Sequence, residues 1–474
     1  MRQYGAEFLK RWPQCPHVRQ TLRDLALCRT PALGGHVTQC DHCGEVRYHY
    51  HSCGNRSCPQ CGGSKRAAWL AKCQADLLPV PYFHVVFTLP HELSALVLGN
   101  RELLYRLLFD SAKETLLEVA ADPKHLGARI GVLMVLHTWG QKLEHHPHVH
   151  CVVPGGGLAI PAKSSGSTAT VPDDQAPRWV SCRPNWFLSV QVLGEVFRGK
   201  YLAAVRAAYQ AGQLQFAGST LPLASPAAWA TSIRALYQKD WVVYAKEPFG
   251  GPEQVLKYLT GYTHRVALSN HRLVKLEDGH VTFLWKDYAD GCRRKEMTLD
   301  AVEFVRRFAL HIIPKGLVRI RQYGLLAHRD RGERLALCRS LLAAGAGPAP
   351  ETESPPPSAS GGSTDSDQSR GGAVPVSSLV EPRSTSPSPM GISVLVVLVS
   401  LIVAAGDTAS FASSPAVPPA AVIVEDRCPS CGVGHLQTIW RAARPRREER
   451  QRQGLRTTFS WVFWGFHGKY NRIV

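Results

Sequence analysis

Acid is what this sequence is short of. Asp and Glu number 37 against 55 Lys and Arg in 474 residues, a formal net charge of +18. A surplus of that size on a chain that is 45% hydrophobic suggests a globular protein with a polyanionic partner, nucleic acid first among them. Charge alone leaves a merely basic soluble protein open. The first twenty residues lack the apolar core of a secretory signal peptide, and no repeat of solenoid period is visible. Long apolar runs are also missing, with one exception, "GISVLVVLVSLIVAAG" at 391–406. That run falls short of the ~20 residues a spanning helix needs and has no basic anchor beside it. The expectation is therefore a cytoplasmic protein, nucleoid-associated when bound to DNA, with no stable membrane association.

Cysteine, by contrast, is plentiful. Fourteen cysteines in a chain without an export signal point to reduced thiols or metal rather than disulfides. Five of them fall between Cys40 and Cys61 and two more form the pair Cys428 and Cys431. The scattered remainder read as small buried apolar residues. The chain divides into four regions: a cysteine-rich part (1–75), a stretch of alternating strands and helices (80–340), a Pro/Ser/Gly/Ala-rich linker (344–420) and a basic tail (421–474). The linker composition cannot bury enough apolar surface to offset the entropy of ordering.

"CDHCGEVRYHYHSCGNRSCPQC" supplies Cys40-x-x-Cys43 and Cys58-x-x-Cys61. Each pair makes a tight knuckle presenting two thiolates, and the arm between them can fold back to close a tetrahedron. That is structural zinc spacing, with no position left open for catalysis. Cys53, His49 and His51 lie close enough to replace one ligand. Arg47, Arg56, Lys65 and Arg66 surround the cluster with Tyr48 and Tyr50 between them, a basic and stackable set suited to DNA contact. Cys428-x-x-Cys431 is half a site: His435 could help, but no fourth ligand is evident.

"EHHPHVHCVVPGGG" (144–157) ends in an alternating, β-branched stretch that reads as a strand stopping at a glycine turn. Period 2 puts His148 and His150 on one face and Val149 on the other. A third imidazole comes from "ARIGVLMVLHTWG", an apolar strand ending in His137 and short enough in its connection to be the antiparallel neighbour. His145 and His146 read as solvated turn residues. Three imidazoles suit zinc, copper or iron; Mg²⁺ or Mn²⁺ would complete its shell with phosphate oxygens and water. Glu144 is the one acid close by, too little for a zinc hydrolase.

"GPEQVLKYLTGYTHRVAL" (251–268) reads as a helix, with Pro252 and Glu253 in its first turn and basic residues near its end. Tyr258 and Tyr262, four apart, share a face, with Leu256, Leu259 and Val266 turned towards the core. Such a pair alone is ordinary packing. Beside a metal that polarises a phosphodiester, a phenol of pKa near 10 becomes a usable nucleophile.

These motifs together resemble the two-tyrosine rolling-circle transposases of the insertion sequence 91 family, within the HUH endonuclease superfamily. The resemblance rests on His148-Val149-His150, "YLTGYTHRVA", "CGNRSCPQC", "YFHVVFTLPHEL", "LHTWGQKLEHHPHVH" and "IIPKGLVRIRQYGLLAH", and spans residues 15–340. It implies an α+β fold, an antiparallel sheet with flanking helices preceded by a small zinc-binding module. It also implies an enzyme that nicks and joins single-stranded DNA at transposon ends and target through 5′-phosphotyrosine intermediates. Tyr258 and Tyr262 would be the nucleophiles; His148, His150 and His137 would hold Mg²⁺ or Mn²⁺; the Cys40–Cys61 module would hold Zn²⁺. A plasmid relaxase or replication initiator, and a non-catalytic zinc-dependent DNA-binding protein, are the alternatives. The linker, the apolar run and the tail "FSWVFWGFHGKYNRIV" have no counterpart in the family pattern.

Overall fold

The computed structural model of the chain describes residues 1–61, 63–159, 177–183, 187–249, 254–255, 267–345 and 427–443. The expected linker and its apolar run lie outside the described residues, as do Tyr258 and Tyr262. Among the described residues no helix is long and apolar enough to cross a membrane.

At the centre is a five-stranded sheet built from β3 (Tyr82–Thr88), β5 (Gly131–Trp139), β6 (His145–Pro154), β9 (Val243–Phe249) and β13 (Ile320–Gly324). Its order is β13-β5-β6-β3-β9 and each neighbouring pair is antiparallel. Alternation along the strands divides the side chains between two faces. Phe83, Val85, Phe87, Val132, Met134, Leu136, Val149, Cys151 and Val153 form one face, and all lie in a single buried cluster. Helices α5 (Arg101–Ala121) and α6 (Val190–Gln210) cover it, contributing Leu104, Leu108, Phe109, Leu193, Phe197 and Val205 to the same core. Full burial of each such side chain is worth about 1.5–3 kcal/mol, so this face fixes the sheet against its helices.

The opposite face is mixed. Tyr82, Leu133 and Val152 pack with Leu325, Leu326, Leu335 and Cys338, the last two from the Arg331–Gly345 helix. Val255 is fully buried in the same cluster. Further along this face the sheet carries histidines instead.

Three smaller sheets accompany the central one among the described residues, one of them formed by β4 (Ala128–Arg129), β7 (Gly156–Ala159) and β8 (Trp179–Ser181). Strands β10 (Leu273–Glu277), β11 (His280–Asp287) and β12 (Arg293–Asp300) form an antiparallel meander. It leads into the Ala301–Leu310 helix, whose first turn is capped by Asp300, accepting from the N–H groups of Val302 and Glu303. That helix packs against Phe8 of α1 (Gly5–Arg11) and Val18 and Leu22 of α2 (Pro16–Leu27). The amino-terminal module contains β1 (Gly35–Cys40) and β2 (Val46–Tyr50), and β1 also pairs with β14 (Leu436–Ala442) from the far end of the chain. Gly34, at φ +71°, and Gly35 make this three-stranded sheet possible. A Cβ on Gly34 would sit 2.6 Å from the Ala443 carbonyl oxygen, and one on Gly35 2.4 Å from that of His49.

Arg56, expected to contact DNA, is exposed, and its guanidinium is tied to backbone carbonyls of the fold. Its Nη1 donates to the carbonyl of Leu317 at 2.6 Å, and its Nη2 to those of Ile313 and Pro314. Three carbonyls converging on one planar cation make it a clamp between the module and the segment that enters β13. Each charge-assisted bond contributes about 1.5–3 kcal/mol, less than additively. Arg56→Ala should therefore destabilise the chain by about 2–4 kcal/mol in urea unfolding. Arg56→Lys should not restore it, because a single ammonium cannot serve a fork of acceptors. An unchanged urea midpoint would show that the clamp contributes nothing.

Candidate metal centre and zinc module

The histidine face is produced by strand register. β5 and β6 place His137 directly opposite His148 and Val135 opposite His150. With period 2, all three imidazoles emerge on the face away from α5 and α6, while Val149 between them is wholly buried on the helix side. One ring nitrogen from each of His137, His148 and His150 falls within 4.8 Å of the others. The Nε2 atoms of His148 and His150 are 3.1 Å apart. Two donors about 2.1 Å from one octahedral ion and at right angles would lie about 3.0 Å apart, so the pair can share a cation.

The rings are held by partners the sequence reasoning did not assign. The Nδ1 of His150 is 2.8 Å from Nε2 of His84, a buried residue of β3, and the two rings stack. The Nδ1 of His148 donates to the carbonyl of His146 at 2.7 Å, which directs Nε2 towards His150. His137 stacks on Trp139 at 4.4 Å between ring centroids. Period 2 in "YFHVVFT" could have found His84, since His84 and Val86 share a face and Val86 opposes His150.

Burial disfavours the protonated form of His148 and His150. It pushes His148 down to about 4, and it drives His150 well below the usual imidazole range with help from His137, His148 and His84. Neutral imidazole is the form that binds metal. His137 and His150 are 3% and 8% exposed, and His148 is half-buried.

His145 corrects the reading of a solvated turn residue. Its Nδ1 lies 2.7 Å from Ser94 Oγ and its Nε2 2.9 Å from Tyr105 Oη, and burial pushes it down to about 3. His311, from the end of the Ala301–Leu310 helix, is similarly enclosed between Thr138 and the carbonyl of Leu143 and is pushed down to about 4 by burial.

The cysteines are grouped differently from expectation. Cys40, Cys43, Cys58 and Cys61 do not form one tetrahedron. Cys58 and Cys61 join Cys28 and Cys53, while Cys40 and Cys43 meet Cys428 and Cys431. The cause is the β1–β2 hairpin. Cys40 and Cys43 sit at its turn, and the five residues of β2 carry the chain about 17 Å away before Cys53 is reached. There the end of α2 supplies Cys28. In the first group Sγ separations are 3.5 Å for Cys28–Cys61 and Cys53–Cys61, and 3.6 Å for Cys28–Cys58. A tetrahedron with Zn–S of 2.3 Å has an edge of about 3.8 Å, whereas a disulfide would need about 2.05 Å. No disulfide joins any of the fourteen cysteines.

Of the other basic residues, Arg47 donates to Ser430 Oγ at 2.9 Å. Lys65 and Arg66 lie in α3 (Gly63–Asp76), with their side chains outside the described set. Tyr48 and Tyr50 are exposed at 59% and 41%.

Comparison with known proteins now bears on this geometry. The family described as "Transposase zinc-binding domain" matches residues 1–89, and that described as "Putative transposase" matches residues 131–334. "Putative transposase y4qJ" of Sinorhizobium fredii is 49% identical over 332 residues, covering 70% of this chain and 80% of the relative. The transposase for insertion sequence element IS801 of Pseudomonas savastanoi pv. phaseolicola is 30% identical over 342 residues, 70% of this chain and 76% of the relative. The chain belongs to the insertion sequence 91 family of transposases. No solved structure matches it. The transposase thus has an α+β fold with an amino-terminal zinc module and a DNA-processing role. Within that module the four sulfurs of Cys28, Cys53, Cys58 and Cys61 lie close enough together to hold one structural zinc ion.

The buried histidines give the transposase an acid limit. His145, His148 and His311 lie near 3 to 4 folded, below the ~6.5 of a free imidazole, so the unfolded chain binds more protons as pH falls from about 6.5 to about 4. Stability is full above that window and is lost through it. Each such group contributes a slope of up to about 1.4 kcal/mol per pH unit. Urea midpoints of the zinc-loaded protein, without added Mg²⁺ or Mn²⁺, should fall steeply from pH 6.5 to 4.5. His311→Gln should flatten the slope; an identical slope would refute the assignment.

Proposed function

We propose that this transposase nicks and rejoins single-stranded DNA at transposon ends and target, using Tyr258 and Tyr262 as nucleophiles beside a divalent ion held by His137, His148 and His150. The observation that carries the proposal is the convergence of three imidazoles on one sheet face. The described residues flanking the tyrosine segment support it. Val255, three residues before Tyr258, is buried against Tyr82, Leu133 and Val152 on the histidine-bearing face. Ala267 and Leu268, just after the segment, are buried with Leu143 of the β5–β6 turn. Both flanks of the segment thus pack on β5, β6 or the turn between them, the elements that carry the histidines.

A bound Mg²⁺ or Mn²⁺ would polarise the scissile phosphate and stabilise the departing oxygen. The chain's own residues do the rest. A tyrosine Oη loses its proton and attacks phosphorus; the bond to the 3′ oxygen breaks, and that oxygen leaves as a hydroxyl after taking up a proton. The strand stays attached as a 5′-phosphotyrosine, which conserves the bond energy until a 3′-hydroxyl reverses the step. A second tyrosine allows a second strand to be held at once. His84 is a positioning residue: its bond to His150 Nδ1 fixes which nitrogen faces the ion. Exposed Tyr48 and Tyr50 offer stacking surfaces for unpaired bases, each worth about 1–3 kcal/mol when occupied.

The test is a covalent adduct. End-labelled single-stranded DNA from the element's own ends, with Mn²⁺, should leave label on the protein in a denaturing gel, and EDTA should abolish it. Tyr258→Phe with Tyr262→Phe should remove the adduct with DNA binding retained. His84→Gln should raise the Mn²⁺ concentration needed by about 10–100-fold at unchanged saturating rate. Tight DNA binding with no adduct from the wild-type chain would leave a non-catalytic DNA-binding protein.

A further inference from the structure

We propose that Cys40, Cys43, Cys428 and Cys431 bind a second zinc ion, which fastens the carboxy-terminal strand β14 to the amino-terminal module. The matching zinc-binding domain ends at residue 89, so half of this site lies outside it. Cys40 and Cys431 have their sulfurs 3.7 Å apart, as do Cys43 and Cys428, and all four sulfurs lie within 4.8 Å of one another. Those are tetrahedral edges for Zn–S of 2.3 Å and far too long for disulfides.

Both pairs are built as knuckles. Each is Cys-x-x-Cys-Gly, and the closing Gly44 and Gly432 take φ of +73° and +69°. Backbone N–H groups of His42 and Cys43 point at Cys40 Sγ, and that of Gly434 at Cys431 Sγ, all at 3.4–3.5 Å. Such donors stabilise thiolate. A Cβ on Gly434 would lie 2.5 Å from Cys40 Sγ, so only glycine allows the approach.

The case for a metal is strengthened by the exposure of β14. Among residues 427–443 only Cys428 and Gly434 are buried, so hydrophobic burial cannot hold the strand in place. Its pairing with β1 from Gly35↔Ala442 to Cys40↔Leu436 is supplemented by exposed polar bonds. These run from the His435 N–H to Asp41 Oδ1 at 2.7 Å and from Arg47 to Ser430. An exposed edge strand of that kind needs a cross-link.

The decisive measurement is metal content of the purified full-length chain, read without DNA and therefore independent of the nicking chemistry. Mass spectrometry of the metal should find two zinc ions per chain, and Cys428→Ser with Cys431→Ser should reduce that to one. A protease site placed within 346–426 supplies a second measurement on the otherwise unaltered protein. After cleavage, the fragment carrying residues 427–474 should co-elute with the remainder in reducing buffer and separate once a chelator is added. One zinc in the wild-type chain would overturn the proposal. So would two in the double variant, or a fragment that leaves in reducing buffer before any chelator is present.

Discussion

The register between β5 and β6 is the constraint on which the histidine site depends. A slip by one residue would turn His148 and His150 into the helix-packed core and bring Val149 to the open face. Two features hold the register. The apolar alternation of both strands is committed to α5 and α6, where Met134, Leu136, Val149 and Cys151 are all fully buried. The turn is fixed as well. Leu143 adopts φ of +61°, a left-handed conformation costing about 1–2 kcal/mol in a residue with a Cβ, and its side chain is wholly buried with Ala267, Leu268 and Phe283. Burial worth about 1.5–3 kcal/mol offsets that strain. The hydrophobic core therefore determines where the imidazoles stand, although none of its residues touches a ligand.

Much of the centre was legible in the sequence because period 2 is a local property. His148 and His150 needed only the alternation of their own strand, and His137 needed only a short connection to an apolar neighbour. His84 was harder to see. It lies on a strand separated from β6 by α5 and β5 in the chain, and its part in orienting His150 follows from a pairing that no local pattern encodes. His145 was misread for the related reason that a run of histidines looks solvated until Ser94 and Tyr105 close over it.

The cysteines show the opposite limit. Spacing identifies a knuckle, since two thiolates within four residues share one turn of backbone. It does not say which knuckles meet. Proximity along the chain favours Cys40–Cys43 with Cys58–Cys61, but the rise of β2 separates them. Each knuckle finds partners from elsewhere, Cys28 and Cys53 in one case and Cys428 and Cys431 in the other. Likewise the arginine content of the module did not distinguish a surface cation from a clamp. Arg56 is an exposed residue whose guanidinium is nonetheless held by the carbonyls of Ile313, Pro314 and Leu317.

Ligand chemistry separates the sites by the work each has to do. Four thiolates make a closed, soft, strongly charged shell that retains zinc and leaves no position for a substrate, which suits cross-linking of strands and loops. Three imidazoles do the reverse. They stand without a carboxylate in the group, and burial disfavours the protonated form of His148 and His150. A dication held by neutral ligands would keep its full charge for an incoming phosphate, whereas each carboxylate in the shell would cancel part of it. In the proposed transfer of a phosphodiester, that uncancelled charge would act on the phosphate oxygens. The acid-sensitivity of His148 and the metal-binding form of its ring share one cause: the same desolvation that lowers its affinity for protons keeps its lone pair available for metal.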